Sequence, residues 1–337
     1  MKISKFRNTL LVGAGGVIIA ATSFANTAYA AVAKTPPAHP ANAASNTLKV
    51  SPVRTDITVK PGESGKVSVV VSNLTDMPVI FKPIENDFVS GDEKGTPSII
   101  LDENSYAPTH SLKRFMIPLQ NVTIPAKGSQ QVDVTISVPP TAQAGGYYGA
   151  VRFIPAASSG ADSVNLNASV ASLILMTVPG DLVEKLALTN FDVQQNGGTA
   201  SNFRNPDNLE LVLRFKNSGN VQASPFGQIN VTKGDKTLYK ASFNADNPKG
   251  SILPDSARKW TMPIKNLGKF GKYTVTGNFT YGTSSESIEV KKTIWIVPTM
   301  YIFAAIGGVV GLILLIVFIV WFLKSYKKRI LRSARRY

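Results

Sequence analysis

The chain has 337 residues, with 36 Lys+Arg against 21 Asp+Glu, two histidines and no cysteine. That is about two domains' worth of chain; it excludes a disulfide framework, a thiolate nucleophile and Cys-ligated zinc, and His39 and His110 are too few for a His-rich metal site. The formal charge of +15 is concentrated at the two ends, so it points to a membrane and not to a nucleic-acid partner.

Residues 1–30 read as a secretory signal peptide. Lys2, Lys5 and Arg7 stand without an acid, a small apolar run extends from Thr9 to Ala25, and Ala28-Tyr29-Ala30 supplies the cleavage pattern. An uncleaved anchor is the alternative. Residues 31–46, mostly Ala, Pro, Asn and Thr, have almost nothing to bury and form a flexible spacer. An exported chain without cysteine fits a bacterial surface that does not rely on disulfides.

From Leu48 onward, apolar residues recur with period 2: Val67, Val69, Val71; then Val132, Val134, Ile136, Val138; then Leu209, Leu211, Leu213, Phe215; then Tyr273, Val275, Gly277, Phe279, Tyr281. One apolar face per run is the pattern of an antiparallel sheet with one buried side. Turn signals punctuate the runs at Pro61-Gly62, Gly91 to Gly95, Pro125 to Ser129, Gly145-Gly146, Lys233-Gly234-Asp235 and Gly268 to Gly271, and no amphipathic helix precedes residue 299. The expected fold is all-β: two immunoglobulin-like antiparallel β-sandwiches, residues 47–181 and 182–297, followed by a transmembrane helix. Pro179-Gly180-Asp181 is the domain boundary if Val170 to Val178 closes the first sandwich. If that run opens the second, the boundary is the small, polar segment 155–165.

A weak internal repeat supports two sandwiches. Ile124-Pro125-Ala126-Lys127-Gly128-Ser129 opens one strand and Leu253-Pro254-Asp255-Ser256-Ala257-Arg258 another. Each is followed by a G-x-Y, at Tyr147 and Tyr273, heading an alternating strand. That is the placement of a tyrosine corner, whose hydroxyl bonds back to the backbone.

From Thr299 to Leu323 there is no charge, and Trp295 and Tyr301 flank one edge while Trp321 and Tyr326 flank the other. Residues 298–323 are therefore expected to form a single transmembrane helix. The basic tail 324–337, with Lys324, Lys327, Lys328, Arg329, Arg332, Arg335 and Arg336 and no acid, places the C-terminus in the cytoplasm and the ectodomain outside. Gly307 and Gly311 form a G-x-x-x-G, which either lets two helices approach or is ordinary tolerance of small residues in lipid.

The Pro61-Gly62 turn into Val67–Asn73, the Ile124-Pro125-Ala126 turn into a strand ending at Val138-Pro139, the strand Tyr147-x-Gly149-x-Val151-x-Phe153 and the membrane helix with its basic tail resemble the WxL-interacting proteins of Gram-positive surfaces. The similarity covers most of the chain in order of elements. It implies a first immunoglobulin-like domain that binds peptidoglycan or another cell-wall polymer, a second that binds WxL-type surface proteins or host proteins, and a membrane anchor. It transfers no contact residue to this chain.

Asp87, Asp92, Glu93, Asp102 and Glu103 crowd the stretch from Glu85 to Glu103 and could hold calcium or act as paired carboxylates on glycans, but the EF-hand spacing is absent and a solvated hairpin explains the same residues. With His39 in the spacer, only His110 is left for a serine triad, and it precedes an apolar strand expected from Phe115. Tyr106, Tyr148 and Phe226 could stack on sugars or simply pack. No catalytic residue, cofactor or metal is expected. The reading is a membrane-anchored surface binding protein, the alternatives being a structural spacer, a wall-glycan hydrolase or a strand-donating assembly chaperone.

Overall fold

A computed structural model describes residues 47–156 and 169–333. The signal peptide, the spacer, most of the 155–165 segment and the last residues of the tail lie outside the described residues. Everything described belongs to one compact unit.

The first sandwich is built from β1 (Leu48–Ser51), β2 (Arg54–Thr58), β3 (Ser64–Asn73), β4 (Val79–Ser90), β5 (Pro97–Ile99), β6 (Val122–Ile124), β7 (Ser129–Ser137), β8 (Gly145–Pro155) and β9 (Val170–Val178). One sheet has the order β1-β3-β7; the other runs β2-β9-β8-β4, with β5 and β6 both paired to β4. All pairs are antiparallel except β2 with β9. Val170 to Val178 thus lies inside the first sandwich, between β8 and β2. The period-2 runs do what their pattern predicts: Val67, Val69, Val71, Val134 and Ile136 are buried and face Phe81, Val151, Phe153, Ile174 and Met176 of the opposite sheet. No strand starts at Phe115. A single 3-10 turn, Lys113–Phe115, stands there instead, and Met116 makes only an isolated bridge to Ile136.

The second sandwich comprises β10 (Leu186–Gln195), β11 (Gly198–Thr199), β12 (Asn202–Phe203), β13 (Leu209–Asn217), β14 (Phe226–Lys233), β15 (Lys236–Phe243), β16 (Ala257–Pro263), β17 (Gly271–Tyr281) and β18 (Glu286–Ile296). Its sheets are β11-β10-β13-β16 and β12-β18-β17-β14-β15, with β12 and β18 parallel. Phe215, Phe243 and Phe279 form its aromatic centre, with ring centroids 5.1–5.7 Å apart and Trp260 stacked edge-on from β16.

The two sandwiches repeat one another in polar detail. Asn73 ends β3 and Asn217 ends β13, and both are fully buried. Asn73 Nδ2 donates to the Met77 and Ile124 carbonyls, at 2.8 and 3.2 Å; Asn217 Nδ2 donates to Val221 and Ile252, at 2.8 and 2.9 Å. Each Oδ1 accepts the amide two residues on, from Thr75 or Gly219, at 2.9 Å. Each side chain therefore ties the end of its strand to the turn ahead of a neighbouring strand, and those turns match in having Lys127 and Asp255 in the left-handed region. The two tyrosines behave alike: Tyr147 Oη donates to Gln143 O at 2.9 Å and Tyr273 Oη to Gly268 O at 2.8 Å. Gly145 and Gly271, two residues before each, take φ of +151° and +137°, a region that a side chain disfavours.

After Ile296 only Val297 and Pro298 separate β18 from α1 (Thr299–Ser333). Its stretch Thr299–Ser325, of mean hydropathy 3.0, is long and apolar enough to cross a membrane, and its apolar side chains beyond the first turn are exposed.

Candidate functional site

The two sandwiches meet along a packed seam, and beside the seam lies an aromatic groove to which both contribute. On one side, Gly146 N donates to Asn220 O at 2.8 Å, and Asn220 Nδ2 reaches back to the carbonyls of Ala144 and Asp181 at 3.2 and 3.1 Å. Asn220 Oδ1 accepts from Val183 N at 2.8 Å, so one side chain holds the linker and both domains. Tyr148 Oη donates to Gln222 Oε1 at 2.9 Å, and Gln222 Nε2 donates to Thr177 Oγ1 at 3.2 Å. Below this, Phe88, Tyr148, Ala150 and Leu175 form a small apolar core against Leu253 of the second sandwich. Tyr148 is only 2% exposed, so it is a seam residue and not a free stacking platform; burial pushes its hydroxyl pKa up.

The far side of the seam is charged. Glu93 takes a bidentate grip from Arg214, with Nε 3.0 Å from both carboxylate oxygens and Nη2 2.5 Å from Oε1, and its carbonyl accepts Lys259 N at 2.5 Å. Arg54 Nη1 adds a bond to Lys249 O at 3.0 Å. The Arg214 hydrogen bonds hold Glu93 below the usual carboxylate range. A carboxylate whose folded pKa is depressed contributes stability above its unfolded value and loses it as pH falls through the folded one. Spin labels across the seam should therefore show one narrow distance at neutral pH and a broader distribution once the pH drops below the ordinary glutamate value. Glu93→Gln should be broadened already at neutral pH. The Thr96 amide likewise holds Asp92, in the same loop, below the usual carboxylate range.

The remaining acids of the 85–103 stretch are engaged separately. Asp87 is fully buried and accepts Ala107 N and Lys113 N at 2.9 and 2.8 Å; Glu85 accepts Leu119 N at 2.7 Å. Asp102 caps Asn104 N and Ser105 Oγ, the latter lowering its pKa most, and Glu103 pairs with Lys82 at 3.0 Å. The stretch is a set of loop caps and pairs that shape the ground around residues 105–119. Among the described residues no three His, Asp or Glu side chains gather where they could hold a metal.

The groove, about 410 Å³, is lined by Ala107–Ser111, Arg114 and Phe115 on one wall, by Gln143–Gly145 and Tyr147 on the other, and by Asn220 from the second sandwich. Its rings are Phe115 and Tyr147, with centroids 4.9 Å apart, and His110, 6.4 Å from Tyr147. His110 sits at φ +59°, and its Nδ1 lies 2.6 Å from Gly146 O, which can only accept, so Nδ1 carries the proton. Beside the mouth, Lys113 and Arg114 lie over the Tyr106 ring, at 4.8 and 4.6 Å from its centroid. Apolar ring faces next to an exposed guanidinium and amide groups can stack on a sugar and bind a carboxylate together. Of the three aromatics named from the sequence as sugar platforms, Tyr106 borders this place, Tyr148 is in the seam, and Phe226 lies elsewhere, under Lys249. Phe115, Tyr147 and Arg114 come together only through tertiary structure.

No protein-family model matches the chain, and no curated protein matches it. Among solved structures, it is similar to a chaperone–tip adhesin complex of CFA/I fimbriae biogenesis, at 14% identity over 73% of this chain and 98% of that one, with a TM-score of 0.38. It is also similar to the CupB2 chaperone of Pseudomonas aeruginosa (8% identity, 73% and 100% covered, TM-score 0.34). A third likeness is to the CsuC–CsuE pre-assembly complex of Acinetobacter baumannii (15% identity, 72% and 97% covered, TM-score 0.36). At these scores the likenesses carry no functional argument, and the immunoglobulin-like architecture rests on the strand pairing described above.

Proposed function

We propose that the chain is a membrane-anchored cell-surface binding protein, of the WxL-interacting kind, whose first sandwich engages peptidoglycan while the second presents a surface to protein partners. It is not an enzyme in this reading. The observation that carries the proposal is the groove at residues 107–115 and 143–147, where ring faces, Arg114 and amide groups stand together beside a seam that keeps its walls in register. Peptidoglycan offers both sugars and stem-peptide carboxylates to such a place. The apolar α1 supports the anchor, and the basic tail supports a cytoplasmic C-terminus.

The test is co-sedimentation of the detergent-solubilised chain with purified peptidoglycan at low and high salt, since a basic protein binds anionic polymers nonspecifically. Retention that survives salt and falls at least tenfold in Arg114→Glu is expected, since one charge-assisted hydrogen bond is worth about 1.5–3 kcal/mol, roughly 10- to 150-fold. Binding abolished by salt, or indifferent to Arg114, would leave the rigid seam as the dominant feature and favour a structural spacer.

A further inference from the structure

We infer that the membrane-proximal end of the second sandwich is itself a lipid-binding face, which docks on anionic phospholipid head groups. The inference rests on α1 spanning the bilayer. The register of the sheets places the relevant loops together: β13 begins and β16 ends there, Gly271 pairs with Ile296, and Asn202 pairs with Trp295. The β14–β15 turn lies at the same end, since Thr232 pairs with Thr274 near the start of β17.

The link to the helix has little slack. Val297 N donates to Phe203 O at 2.8 Å, and Tyr301 N to Pro298 O at 3.0 Å. The Phe270 ring packs on Tyr301, in the first turn of α1, with centroids 4.9 Å apart. The loop 264–270 therefore lies at the level where the helix enters the membrane.

The composition of this face suits that level. Phe270, Trp295 and Tyr301 are 48%, 43% and 48% exposed, an apolar display that water disfavours and the lipid interface accepts. Arg204, Lys265, Lys269 and Lys272 are exposed around them, and none makes an ion pair among the described residues; Lys272 Nζ lies over Trp295 at 5.9 Å. Lys233 holds the loop by donating to Phe270 O at 2.8 Å. Asp207 and Asp235 are the acids of the same loops. The excess of bases is complementary to anionic head groups, and each basic side chain at such a surface is worth about fivefold in binding.

The full chain would be placed in nanodiscs of phosphatidylglycerol and phosphatidylcholine or of phosphatidylcholine alone, and amide hydrogen exchange followed. Residues 264–272 are expected to exchange at least fivefold more slowly in the anionic discs, with high salt reversing the protection. The pair Lys265→Glu and Lys269→Glu should abolish it while protection of β17 and of Val132–Ile136 stays unchanged; the corresponding glutamine pair should give an intermediate value. Equal loop exchange in both lipids, with α1 protected in both, overturns this inference alone. Unprotected α1 overturns the anchor as well. Protection in phosphatidylcholine discs on adding soluble polyphosphate, at the level the anionic lipid gives, would assign the face to a wall polyanion and overturn the lipid assignment.

Discussion

Replacing Asn217 by alanine is expected to lower the unfolding temperature of the second sandwich by on the order of 10 °C or more in calorimetry of the full chain. The carbonyls of Val221 and Ile252 and the amide of Gly219 are left facing a void, and each unsatisfied buried group costs about 1–3 kcal/mol. Partial entry of water offsets some of this, so a loss of ~3–5 kcal/mol is expected. Aspartate distinguishes hydrogen bonding from packing. It has nearly the same shape but only accepts, so Asn217→Asp should be at least as damaging at neutral pH. A change of less than about 2 °C in either variant would mean that the side chain is not the tie described here. Asn73 makes the same prediction for the first sandwich.

The second large effect concerns the seam. A side chain at Gly146 would run into the Tyr148 hydroxyl and Gln222 Oε1, next to the point where Gly146 N meets Asn220 O. Gly146→Val should therefore separate the sandwiches without unfolding them, costing the seam ~2–4 kcal/mol through two lost hydrogen bonds and part of the apolar contact. The absence of native cysteine makes the measurement direct. Spin labels at Glu63→Cys and Lys240→Cys, both exposed and one on each sandwich, should give a single narrow distance in the parent and a broad one in the variant. A narrow distance that persists in Gly146→Val would show that the Glu93–Arg214 pair and the Leu253 contact suffice to hold the domains. Gln222→Ala, which removes the Tyr148 and Thr177 bonds without a clash and keeps the Gly146–Asn220 bond, should fall between the two.

Much of the fold was legible because its signals are local. Strands such as Val67–Val71 and Tyr273–Tyr281 announce themselves by alternation, and the two G-x-Y sites place tyrosine hydroxyls where an immunoglobulin-like corner needs them. The apolar run of α1 needs no tertiary information at all. Phe115 misleads because Leu112 and Met116 bury their side chains from a turn and Phe115 half-buries its own, and burial without alternation does not specify a strand. For Tyr148, alternation does not decide between stacking and packing, for a different reason. Its neighbours on β8 give the inward and outward faces of the first sandwich, but its outward face is covered by Leu253 and Gln222, which lie more than seventy residues away in sequence. The paired asparagines left a readable trace, since each closes an alternating strand and each donates to a carbonyl four residues on, Met77 or Val221. The groove left none, because Arg114, Phe115 and Tyr147 meet only when the 105–119 loop folds over the start of β8.

The position of β18 also bears on how the protein would respond to being pulled. The chain enters the second sandwich at the seam, where Asn220 holds Val183, and leaves it at Ile296 beside the helix. Tension between the first sandwich and α1 would thus run lengthwise along β18, whose eleven residues pair throughout with β17 and, at the last two positions, in parallel with β12. Hydrogen bonds loaded in this direction share the force and break together, whereas a hairpin peeled from its end loses them one at a time. The sandwich would resist stretching as a shear joint, and its mechanical lifetime would be set by its unfolding rate and not by its equilibrium stability.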